Sequence, residues 1–69
     1  MAILRARPIT RHSGRYWQLW VTQRSHLAVR LWHEGDLLAE RRAPTAAHPI
    51  EIGEDRARTV TRIELIVTR

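Results

Sequence analysis

Sixty-nine residues carry 12 Arg, no Lys, seven acidic residues and a net charge of +5. No Cys is present, which excludes disulfides and Cys-type zinc sites. No apolar run approaches the roughly 18 residues of a membrane-spanning helix. A single domain of this size buries only about 60% of the surface that its unfolded chain exposes, so an efficient core, an oligomer or a bound partner is expected to stabilise it.

The segment Met1-Ala2-Ile3-Leu4-Arg5 meets a charge too early to form the apolar region of a signal peptide, and a cytoplasmic location is expected. From Leu4 onward apolar and polar residues alternate at period two, whereas no stripe at spacing three and four persists. That periodicity calls for strands. A two-residue turn at Ser13-Gly14 sets Pro8 opposite Leu19 and Ala6 opposite Val21, with Leu4 on the same face. The other parity then puts Arg7 opposite Trp20 and Arg11 opposite Tyr16. Pro8 inside this first run favours an edge strand, because it lacks the N–H of an interior one.

A loop through Thr22-Gln23-Arg24-Ser25-His26 next sets Val21 opposite Leu27, Leu19 opposite Val29 and Trp17 opposite Leu31, all apolar. His33-Glu34-Gly35, with Gly35 in the left-handed position, returns the chain so that Leu37 and Ala39 face Leu31 and Val29. Arg41 to Pro49 has the composition of a loop. Ile50-Glu51-Ile52 is a short strand ending at Gly53, and Glu54 to Arg58 forms either a loop or a single helical turn. Thr59 to Thr68 is a long strand with Ile63, Leu65 and Val67 on one face and Arg62 and Glu64 on the other. The expected fold is all-β. It is a single small domain over residues 1–69, a curved antiparallel sheet or barrel of about five to six short strands that begins as a four-stranded meander.

This register assigns Trp17 to the apolar face and gathers Arg5, Arg7, Arg11, Tyr16, Trp20, Arg30 and Trp32 on the opposite one. Guanidinium groups among exposed aromatics suit nucleic acid, where bases stack and Arg neutralises phosphate. The same residue types are enriched at protein interfaces, and a covered second core layer would also use them. The expected function is that of a small basic, non-enzymatic binding module acting through protein–protein contact. Its partner is another protein or its own copy: a homo-oligomer, or an inhibitory or accessory role on an acidic protein. Binding of single-stranded DNA or RNA is the alternative.

Other chemistry finds little support. His12, His26, His33 and His48 fall in turns or loops. His33, Glu34 and Asp36 form the one compact set of potential ligands, but neighbours in a tight turn point apart. Ser13 beside His12, and Ser25 beside His26, are sequence neighbours that do not aim at one another. The carboxylates of Glu40, Glu51, Glu64 and Glu54-Asp55 read as solvated charges matched to Arg, and Gly14, Gly35 and Gly53 stand singly at turns. No enzyme activity, cofactor, metal, membrane or small-molecule substrate is expected.

Overall fold

The alternating segments form six strands and one helical turn in the computed structural model, which describes residues 2–22 and 26–68. In chain order these are β1 (Leu4–Arg11), β2 (Gly14–Val21), β3 (Leu27–His33), β4 (Asp36–Arg42), β5 (Ile50–Gly53), α1 (Glu54–Ala57) and β6 (Arg62–Val67). They make two antiparallel three-stranded sheets, the first ordered β1-β2-β5 and the second β4-β3-β6. The all-β class stands, and neither sheet closes into a barrel.

β1 and β2 pair as a hairpin in which Leu4 faces Val21, Ala6 faces Leu19 and Pro8 faces Trp17. Arg11 faces Gly14, so the turn is His12-Ser13 rather than Ser13-Gly14. Gly14 starts β2 at φ 134°, a conformation that only glycine adopts at low cost. The pairing lies two residues from the expected register, and an even shift leaves every side chain on its expected face.

The expected β2–β3 hairpin is overturned. Each of these strands is the centre of its own sheet: β2 lies between β1 and β5, β3 between β4 and β6. Residues 23–25 of the expected loop lie outside the described residues. The apolar residues assigned to that hairpin still meet, because Leu19, Val21, Val29 and Leu31 join Ile50 and Ile52 in one buried cluster, with Trp17 and Leu27 packed against it. They meet face to face across the roughly 10 Å between packed sheets instead of side by side. Alternation fixes which face of a strand is apolar, and it carries no information about which strand lies alongside.

β3 and β4 are joined by Glu34-Gly35. The left-handed residue is Glu34, at φ 53°, not Gly35 as expected. Its N–H donates to Thr61 Oγ1 at 2.7 Å, which holds the turn in that form. A bulge between Leu31 and Trp32 moves Ala39 opposite Leu31 and Leu37 opposite Trp32. Past β4 the chain crosses to the first sheet through Ala43, also left-handed at φ 46°, and the buried Pro44, whose carbonyl accepts Val21 N–H at 3.1 Å. β5 follows and lies beside β4, so the sandwich is joined on that side.

Glu54–Ala57 is a helical turn, which settles the open alternative for this segment. Thr59 N–H and Val60 N–H donate to the carbonyls of Arg56 and Ala57 and end it, so β6 starts at Arg62 rather than Thr59. Ala57 and Val60 pack against the core.

Candidate functional site

Leu4, Ala6 and Pro8 point inward with their β2 partners, so the alternate residues Arg5, Arg7, Arg11, Tyr16, Gln18 and Trp20 form the outer face of the first sheet. Arg30 and Trp32 alternate with the buried Val29 and Leu31 and lie on the outer face of the second sheet. The seven residues expected on one surface are therefore divided between opposite sides of the sandwich, five and two. The division follows from β2 and β3 being stacked rather than adjacent.

On the first sheet the groups are tied to one another. Arg7 Nε donates to Gln18 Oε1 at 2.6 Å and its Nη2 to the Ala46 carbonyl at 2.9 Å, while its guanidinium lies 4.8 Å from the Trp20 ring centroid. Gln18 Nε2 donates to Glu51 Oε2 at 2.8 Å. Arg11 grips Glu51 with two hydrogen bonds, of 3.1 and 2.5 Å. Hydrogen bonds from Arg11, and then from Gln18, hold the Glu51 carboxyl below the ordinary glutamate range. The Tyr16 hydroxyl and Ser13 Oγ are 2.7 Å apart.

The second sheet repeats the arrangement. Trp32 Nε1 donates to Glu64 Oε1 at 3.0 Å, and Arg30 is paired with Glu40 and lies 3.9 Å from Glu64. Arg62 covers the Trp32 ring, 5.1 Å from its centroid. A stacking platform for bases needs open ring faces and unpaired cations. Here each of the two tryptophans has one face under a guanidinium. Of the expected cations, Arg5 alone has no polar partner among the described residues; Arg41 and Arg42, not singled out from the sequence, also have none.

The open side of the sandwich has a different character. Ile63, Leu65 and Val67 sit opposite Leu31, Val29 and Leu27 and share their inward face, yet they are 44%, 45% and 66% exposed. Between the sheets a cleft of about 230 Å³ runs between Ala6, Trp17, Leu19 and Ile52 of the first and Leu31 of the second, ending at Ala57 and Val60. The sequence pattern placed this period-two trio on one face of the last strand, opposite Arg62 and Glu64. What it lacked was the strand order, which puts β6 at an edge.

β1 and β6 both present a free edge here, and the two edges differ. Thr22 N–H donates to the Ile3 carbonyl, so the odd residues of β1 bond to β2 and Leu4, Ala6, Pro8 and Thr10 aim their main-chain groups outward. Pro8 therefore interrupts the free edge of β1, confirming it as an edge strand with no N–H at its middle. On β6, Thr68 N–H donates to the His26 carbonyl, so the even residues face β3. Ile63, Leu65 and Val67 then aim their N–H and C=O groups away from β3, where no strand among the described residues pairs with them and no proline interrupts them.

Elsewhere, Arg15 and His33 find partners close by. A pocket of about 300 Å³ at the end of the first sheet is lined by Ser13, Tyr16, Arg15 and Glu54, the last two paired at 3.4 Å. His33 Nδ1 lies 2.7 Å from the Thr59 carbonyl, and no group of three or more potential metal ligands gathers among the described residues. No helix among them is long and apolar enough to cross a membrane. No family model, curated protein or solved structure matches the chain.

Proposed function

We propose that the chain is a non-enzymatic, cytoplasmic protein-binding module whose contact surface is the open side of the sandwich, not the Arg and aromatic outer faces. The observation that carries this reading is the exposure of Ile63, Leu65 and Val67 along an unpaired strand edge. Exposed aliphatic side chains beside free main-chain donors and acceptors suit the addition of a strand from a partner. The internal pairing of Arg7, Arg11 and Arg30 leaves the outer faces with less to offer. A photo-crosslinking side chain at position 65, and separately at position 5, tests the assignment in cells. Protein adducts from position 65 are expected and few from position 5; no protein adduct from position 65 contradicts the reading.

Single-stranded nucleic acid is the second reading, favoured by the net charge of +5 and by Arg5, Arg41 and Arg42, whose side chains have no polar partner among the described residues. Saturable oligonucleotide binding that weakens steeply with salt would support it.

A further inference from the structure

Resting on the protein-contact reading, we propose that the occupant of the open edge is a second copy of this chain, paired antiparallel through β6 with Leu65 on the two-fold axis. The result is one six-stranded sheet, β4-β3-β6 continued by β6-β3-β4 of the other copy.

The sequence of β6 is self-complementary in this register. A two-fold axis at Leu65 sets Leu65 against Leu65 of the other copy, and Ile63 against its Val67. These odd residues carry the unpaired main-chain groups, so each opposed pair exchanges both of its N–H to C=O bonds. The same residues carry the exposed apolar side chains, which become one row continuous with Val29 and Leu31 of each core.

Side-chain pairing favours this register: it alone sets Leu65 against Leu65 and Ile63 against Val67, whereas an axis at Ile63 sets Leu65 against Thr61. With Leu65 on the axis, Glu64 faces Ile66 of the other copy and Arg62 faces its Thr68, so no like charges oppose. Moving the axis to Glu64 sets the two glutamates against each other. In the favoured register Glu64 and Arg62 also keep their own partners, Trp32 with Arg30 for the first and the Trp32 ring for the second. The edge of β1 offers no equivalent, because Pro8 removes the central donor.

Two chains of charge +5 repel at long range, and salt screens that repulsion. The dimer therefore holds or tightens as salt rises, the opposite of binding to nucleic acid.

Sedimentation equilibrium of the purified full chain, from low to high micromolar concentration, reads the mass directly. A rise from 8.1 kDa toward twice that value is expected. Leu65→Arg and Leu65→Glu should each weaken association by about tenfold or more, and an equimolar mixture of the two should restore it, because the axis brings position 65 to its own copy. Leu65→Thr, a substitution suited to an exposed strand, covers the case in which a charged variant fails to fold and should also weaken the dimer. A monomer at every concentration, or association untouched by Leu65→Thr, overturns the proposal. If the purified chain is monomeric while position 65 still crosslinks to another protein in cells, the second copy is wrong and the contact surface stands; if position 65 yields no protein adduct, both fail.

Discussion

Val29 and Leu65 are register partners on the inward side of one sheet, yet Val29 is fully buried and Leu65 is 45% exposed. Burial of the same face stops between two neighbouring strands, because β6 extends beyond the cover provided by the other sheet. Val29→Ala should therefore cost about 2 kcal/mol, from the lost methyl groups and the cavity they leave. Leu65→Ala should cost under about 1 kcal/mol in dilute solution, since it removes a half-exposed side chain. Its cost should grow with protein concentration, and that of Val29→Ala should change much less. Urea unfolding at low and high protein concentration measures both.

The Arg11–Glu51–Gln18–Arg7 chain joins β1, β2 and β5 across the outer face of the first sheet. Glu51 titrates below its ordinary range because Arg11, and then Gln18, hydrogen-bond its charged form. A carboxyl lowered in the folded state contributes stability above its unfolded value, and that contribution is lost as pH falls through the lowered folded value. Melting temperature followed from neutral to acid pH should fall across this window. Glu51→Gln should start lower at neutral pH and lose the part of the slope that Glu51 supplies.

Ala43 holds φ 46° at an exposed position, directly before the buried Pro44. A left-handed conformation costs a residue with a Cβ about 1–2 kcal/mol, and glycine loses part of that advantage through its more flexible unfolded chain. Ala43→Gly should stabilise by about 0.5–1 kcal/mol, which in a chain of this size raises the melting temperature by a few degrees. A lower melting temperature would show that the crossover is not strained in this way.

Trp20 and Trp32 lie on outer faces that point in opposite directions, each beneath an Arg. Trp20→Ala and Trp32→Ala should leave the association state unchanged. Trp20→Ala frees the Arg7 guanidinium from its ring. Light scattering with and without a mixed oligonucleotide separates the two functional readings, since loss of oligonucleotide binding in both variants would favour nucleic acid.

Period-two alternation was enough to read six strands, the inward parity of β1, β2 and β3, and the edge position of β1 from Pro8. Neighbour relations were not readable, because Leu19 and Val29 satisfy an apolar pattern equally well across a ladder or across a core. That ambiguity merged Arg30 and Trp32 with the five residues of the other sheet and hid the open side. The positive φ at Glu34 was equally hidden: Gly35 next to it is the conventional choice, and the bond to Thr61 that decides the matter comes from 27 residues away.

Amide hydrogen exchange along β6 tests the open edge most directly, because the odd and even residues face different neighbours. The amides of Glu64 and Ile66, bonded to β3, should be protected at all concentrations. Those of Ile63, Leu65 and Val67 should exchange quickly in dilute solution and become protected as concentration rises, together and to a similar degree. Fast exchange of these three amides at every concentration would contradict the pairing of β6 with its own copy.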